Sequence, residues 1–163
     1  MHFCPECTSS LTQRMIGGAE RTVCTAKGCR FIHWNNPTPV VAGIVKLGDE
    51  YILARNAAWP EYIYSMITGF LEAGEEPDIA IMRETQEELG LIAEEAKFIG
   101  HFIHAKRNQL LIAYLVKAHG TITLNEELTD YKLLTRDELE IYNFEPLKLT
   151  ATIVKQALLQ DVI

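Results

Sequence analysis

The sequence predicts an α+β fold with a mixed sheet, preceded by a small cysteine-held unit. Three observations lead there. Short β-branched, apolar runs and helix-like segments mix without strict βαβ alternation, which disfavours a doubly wound sheet. One strongly amphipathic helix stands between two sets of strands. All four cysteines, Cys4, Cys7, Cys24 and Cys29, fall within the first thirty of 163 residues. The expected division is residues 1–36 and residues 37–163, with "WNNPTP" marking the boundary by its Asn-Pro step and second proline.

Each element has a local reason. In the first unit, "RMIGGAERTVC" reads as a hairpin turned at two glycines. "VVAGIVKLG" and "EYILARN" read as strands around a "GDE" turn, and "YSMIT" leads into Gly69 as a short strand. Pro77 to Leu89 reads as a helix. Pro77 suits its first position, Asp78 its positive end, and Gly90 its C-terminal cap. "KFIGHFIHA" and "QLLIAYLVKAHG" form a strand pair joined by "KRN", and "YKLLT" is a further strand. Thr135 with Glu138 is a capping box for a helix over "RDELEIY". "PLKLTATIVKQALLQDVI" is a final helix, with Leu149, Ile153, Ala157 and Leu158 on one side.

Composition narrows the function. At 48% hydrophobic the chain can bury a core. No apolar run approaches the ~20 residues of a membrane span. The start, "MHFCPECTSS", lacks the basic and apolar regions of a secretory signal, so a cytoplasmic protein is expected. The formal charge of −7 argues against general nucleic-acid binding. A nucleotide delivered with a divalent cation remains compatible with it.

The charge is concentrated. "GFLEAGEEPDIAIMRETQEELGL", Gly69 to Leu91, holds seven acidic residues and one base, Arg83. On a helical wheel with Ile79 at 0°, Ile81, Thr85, Leu89 and Met82 fall at about 200–300°. Glu87, Glu84 and Glu88 fall beside that stripe at about 80–180°. Like charges at i, i+3 and i+4 repel, and no lysine relieves them. A hard divalent cation, Mg²⁺ or Mn²⁺, would. The alternative is a solvated acidic face. Arg83 could pair with Glu75 and hold the loop against the helix.

The wider pattern is G-x5-E-x7-R-E-x2-E-E-x-G, carried by Gly69, Glu75, Arg83, Glu84, Glu87, Glu88 and Gly90. Seven fixed identities match by chance about once in 10⁸–10⁹ starting points. The stretch resembles the Nudix box of the Nudix hydrolase superfamily. Leu91 supplies one expected aliphatic position; Thr85 departs from the other, with a small packing loss expected. The resemblance implies an α/β/α sandwich and hydrolysis of a nucleoside diphosphate linked to a second moiety. It implies metal ligation by Glu84, Glu87 and Glu88, with the Gly69 carbonyl as a further ligand. Glu75 and Arg83 take supporting roles. The base is Glu84 or a residue of "NEELTD", with Glu126, Glu127 and Asp130 as candidates.

The cysteine spacing, C-x2-C-x16-C-x4-C, suits a closed tetrahedral zinc site, the alternative being two disulfides. Reducing conditions in the cytosol favour zinc. His2 and His33 are surplus to it. A zinc ribbon before a Nudix domain resembles the NADH pyrophosphatases and the ribbon-bearing hydrolases of ADP-ribose, FAD or related dinucleotides. The S-Q-P-W-P-F-P motif of the former is missing from "GHFIHAKRNQLLIAYL".

The substrate expected is thus a dinucleotide, with a homodimer as the assembly considered. Trp59, Tyr62 and Tyr64 precede the box, where an adenine could stack; Tyr62 and, among the loop cations Lys106 and Arg107, Arg107 are the candidate contacts. His101 and His104 read as structural residues of an apolar strand. The competing class is a silent nucleotide sensor, or a ribbon adaptor for RNA or protein. Against the adaptor, the ribbon segment carries only a small excess of base, Arg14, Arg21, Lys27 and Arg30 against Glu6 and Glu20.

Overall fold

The computed structural model describes residues 1–161, and its contacts gather the chain into two compact units that part between Pro37 and Thr38. In the first unit a three-stranded sheet runs in the order β1 (Leu11–Ile16), β2 (Ala19–Cys24), β3 (Ile32–His33), with antiparallel pairing. Gly17 and Gly18 make the β1–β2 turn at φ 60° and 80°, a pair of left-handed conformations that glycine adopts without strain.

The second unit is built on a six-stranded mixed sheet. β4 (Thr38–Leu47) is central, with β5 (Glu50–Asn56) and β8 (Gln109–His119) beside it. β7 (Ile92–His104) lies outside β8, and β9 (Leu128–Leu134) outside β5. The short β6 (Ile67–Phe70) pairs with the first half of β4. The β4–β8 pairing is parallel and the others are antiparallel.

Alternation along β4 divides the core. Val40, Ala42 and Ile44 face a cluster completed by Leu139 of α2 (Arg136–Glu140) and by Ile153, Val154, Ala157 and Leu158 of α3 (Lys148–Gln160). Val41 and Val45 face the other cluster, with Ala80, Ile81 and Leu89 of α1 (Pro77–Leu89). Helices thus cover both faces, the α/β/α arrangement expected. Because both faces of β4 are covered, its middle reads as an unbroken apolar run rather than an alternating one.

Several boundaries moved. β7 begins at Ile92, five residues before the expected start at Lys97. Bulges at Ala93/Glu95 and Phe98/Gly100 break its period-2 pattern, and its first half is solvated. β9 begins at Leu128 rather than Tyr131. The "KRN" loop overlaps a 3₁₀ turn, Ala105–Arg107. The last helix starts at Lys148, beyond Pro146; of its expected span, Val162 and Ile163 lie outside the described residues. Among the described residues no helix is long and apolar enough to cross a membrane.

Candidate active site

Helix α1 carries the acidic residues, and its local chemistry sets its ends. Pro77 occupies the first turn, and Gly90 caps the C-terminus at φ 68° with its N–H donating to Gln86 O. Ala80, Ile81, Thr85 and Leu89 are buried. Ile81 packs over Gly43, where a Cβ would come within 2.8 Å of its side chain. The absent side chain therefore lets α1 approach the centre of the sheet. Thr85 is fully buried, and its hydroxyl donates to Ile81 O at 2.7 Å. The helix itself satisfies the polar group that departs from the expected aliphatic residue.

This docking turns Glu84 and Glu88 inward and leaves Glu87 exposed. The Glu84 side chain is 14% exposed and that of Glu87 55%. Gly69, on β6 opposite Val41, is packed directly against Glu84: an ideal Cβ there would sit 2.0 Å from the Glu84 carboxyl carbon and Oε1. Its φ is ordinary, so space and not backbone conformation calls for glycine.

Arg83 ties the loop to the helix. Its Nε and Nη2 donate to Glu75 Oε1 and Oε2 at 2.9 and 3.0 Å, a bidentate pair. Its Nη1 donates to Glu84 Oε1 at 2.9 Å and to Glu87 Oε2 at 3.0 Å, and its Nη2 reaches the Phe70 carbonyl at 3.4 Å. The Arg83 pairing, with a backbone N–H from Glu72, holds the Glu75 carboxyl below its usual range.

Glu88 has no such partner. It is buried, and among the described residues no salt bridge reaches it. Burial and the charges of Glu84, Glu127 and Glu87 push its carboxyl up to about 8. Burial also raises Glu84, against the pull of Arg83. An acidic pair sunk in this way suits a hard divalent cation: oxygen donors, clustered negative charge and one uncompensated carboxylate. The residues present fit that ion.

Glu84 and Glu88, with Glu72, line a cleft of about 800 Å³ within the second unit, whereas Glu75 and Glu87 are not among its lining residues. Glu127 joins Glu84 and Glu88 there, from the segment between β8 and β9; Glu126 is exposed and does not line it. Asp130 is on β9 and accepts a hydrogen bond from the Tyr64 hydroxyl. Of the aromatic candidates, Trp59 borders the cleft, Tyr64 is buried in the core, and Tyr62 is 71% exposed and away from the cleft walls. Arg107 and Lys106 both line the cleft. So does His104, read from the sequence as a strand residue, whereas His101 is exposed and its ring packs beside Phe98. Lys148, at the start of α3, also lines it. The sequence does not mark it, since a lone lysine opening a distant helix carries no local signal.

In the first unit the four cysteine Sγ atoms lie within 4.8 Å of one another, and none is in a disulfide. Cys4–Cys29 and Cys7–Cys24 are 3.8 and 3.4 Å apart. Zinc–sulfur bonds of about 2.3 Å place tetrahedral sulfurs roughly 3.8 Å apart, so this donor set fits Zn²⁺.

Residues 37–154 match the family model described as the NUDIX domain. The chain belongs to the NUDIX family. This NUDIX protein is 43% identical over 63 residues to the NAD-capped RNA hydrolase NudC of Mycobacterium tuberculosis (strain ATCC 25618 / H37Rv), covering 38% of this chain and 20% of that one. It is 26% identical over 165 residues to the protein of the same name from Vibrio vulnificus (strain CMCP6), covering 100% of this chain and 60% of that one. It is 32% identical over 96 residues to the mitochondrial NAD(P)H pyrophosphatase NUDT13 of Mus musculus, covering 59% and 26%. The chain thus spans at most three fifths of these curated relatives. Among solved structures, a NUDIX hydrolase from Nitrosomonas europaea matches with a TM-score of 0.76 at 23% identity, covering 96% of this chain and 88% of that one. An ADP-ribose pyrophosphatase from Streptococcus suis matches at 0.65 and 16% identity, covering 78% and 94%. At these identities the likeness is one of fold.

Proposed function

We propose that this NUDIX protein is a divalent-metal-dependent pyrophosphatase that cleaves the diphosphate bridge of a dinucleotide, of the ADP-ribose, FAD or NAD(H) kind, into two monophosphates. The observation that carries the reading is the buried, unpaired carboxylate of Glu88 beside Glu84, on the wall of a cleft large enough for a dinucleotide. Relatives named as hydrolases of NAD-capped RNA and of NAD(P)H support it.

Glu84, Glu87 and Glu88, with the Gly69 carbonyl, would hold Mg²⁺ or Mn²⁺. An ion bound there supplies positive charge that neutralises and orients the diphosphate oxygens. The chain supplies the rest. Arg83 keeps Glu84 and Glu87 aimed and stays engaged through Glu75. Glu127, exposed on the cleft, is the carboxylate best placed to accept a proton from the attacking water. Trp59 offers a flat apolar surface for a base. In the first unit, a four-thiolate Zn²⁺ is structural, because its four protein ligands leave no position open for substrate.

A hydrolysis screen tests the reading. ADP-ribose, FAD, NADH, NAD⁺, diadenosine polyphosphates and nucleoside triphosphates would be incubated with Mg²⁺ and with Mn²⁺, and products identified by mass. Two monophosphates from one dinucleotide, with activity lost in Glu87→Gln, are the expected result. More than a tenth of wild-type activity in Glu87→Gln would remove that residue from the site. Inertness toward the whole panel, with metal bound, would favour a nucleotide sensor.

A further inference from the structure

The cleft has a second chemical character that cleavage of a lone diphosphate leaves unused. Besides the acidic residues it is lined by Lys106 and Arg107, from the 3₁₀ turn before β8, and by Lys148, from the first turn of α3. Among the described residues none of these three cations forms a salt bridge. His104 lies on the same wall, and its Nδ1 is buried with no hydrogen-bond partner. In a chain of net charge −7, three cations without salt-bridge partners lining one cleft favour an anion there.

Sheet register separates the Lys106–Arg107 turn from Gly69. Val40 pairs with Leu111 on one side and Phe70 on the other, so Leu111, Val40 and Phe70 share one row across the sheet. The basic turn precedes β8, with Arg107 four residues before Leu111 of that row, and Gly69 is one residue inside the row on β6. Two strand spacings, roughly 10 Å, lie between the two strands. A single diphosphate held at Gly69 and Glu84 does not span that. Trp59 and Leu147 supply apolar lining to the same cleft, as a base or sugar between two anionic groups would require.

We infer that Arg107, Lys106 and Lys148, with His104, form a second anion subsite that selects substrates carrying a phosphate beyond the diphosphate cleaved. The inference rests on the dinucleotide reading above and deepens it. The extra phosphate has two chemical sources, an ester on a ribose of the dinucleotide or the first phosphodiester of an attached nucleotide chain.

The test uses matched pairs: NAD⁺ with NADP⁺, and NAD⁺ with a short RNA bearing NAD⁺ at its 5′ end. Rates with Mn²⁺ and binding by calorimetry would be measured for the wild type, Arg107→Ala/Lys148→Ala and Lys148→Glu. The wild type should favour the phosphate-bearing member of one pair by roughly tenfold in kcat/KM, mostly through KM. The double variant should bring that ratio close to one, and Lys148→Glu should invert it. Preference for NADP⁺ identifies the ribose ester, and preference for the RNA identifies the phosphodiester. No preference in either pair, or one that the variants leave unchanged, overturns the subsite. If nothing is hydrolysed, the dinucleotide reading fails by itself, and the binding ratios still decide the subsite by the same criteria.

Discussion

A Cβ placed on Gly69 would lie 2.0 Å from the Glu84 carboxyl carbon, well inside van der Waals contact. The strand and the helix therefore meet backbone to carboxylate. Gly69→Ala should push the Glu84 side chain away and misplace the metal ligands. A misplacement near 1 Å costs on the order of 100-fold in rate. The expected result is that loss, with weakened Mn²⁺ binding in calorimetry and an unchanged circular dichroism spectrum. Wild-type Mn²⁺ affinity in Gly69→Ala would show that Glu84 is not a ligand.

Arg83 serves Glu75, Glu84 and Glu87 at once, so its effects should not add to those of its partners. Arg83→Ala and Glu75→Ala should each lower kcat, and the double variant should be about as impaired as the worse single one. Arg83→Lys should rescue little, because an ammonium cannot make the bidentate pair to Glu75. Independent, multiplicative losses in a kinetic double-mutant cycle would break the proposed link.

Glu88 makes stability and metal binding depend on pH. Its folded-state carboxyl, raised to about 8, favours the protonated form more than the unfolded chain does. The resulting stabilisation is fully present below about pH 4.3 and is lost as pH rises toward 8. Without added Mg²⁺ or Mn²⁺, Glu88→Gln should therefore melt higher than the wild type at pH 8, by on the order of 5 °C, and equally near pH 4.5. Mn²⁺ should reverse the order at pH 8 by binding only the wild type tightly. Melting curves that stay parallel at all pH values would contradict the burial argument.

The four clustered thiols lead to a metal count. The purified protein should contain one zinc per chain, and Cys24→Ser should lose it and unfold residues 1–37 while the second unit keeps its structure. Elemental analysis and an NMR amide spectrum read both results. Absence of zinc from the native protein, or disulfides found by mass spectrometry, would remove the ribbon.

Much of this was legible before any tertiary structure. Helix α1 runs over the residues the sequence indicated, Pro77 to Leu89, because a proline start, a glycine cap and a 3.6-residue apolar period are all local. The capping box at Thr135 and Glu138 forms for the same reason. The start of β7 was obscured because its bulges disrupt alternation where its side chains face solvent. The sequence also offered Tyr62 for substrate contact, on proximity along the chain alone. The fold turns that side chain outward and brings Trp59 to the cleft instead.

By itself the sequence determined the acidic helix, its spacing of carboxylates and the cysteine set, since these depend on residues a few positions apart on one element. Only the tertiary structure decided which charges share the cleft. Lys148, Glu127 and His104 come from separate parts of the chain. His104 and Lys148 meet the box because the parallel pairing of β4 with β8 and the packing of α3 over the sheet bring their segments to one end of it, and Glu127 does so because β9 pairs with β5 and the Glu127 carbonyl accepts from Ala57 N. Such pairing depends on contacts between distant residues, and no local period or cap records it.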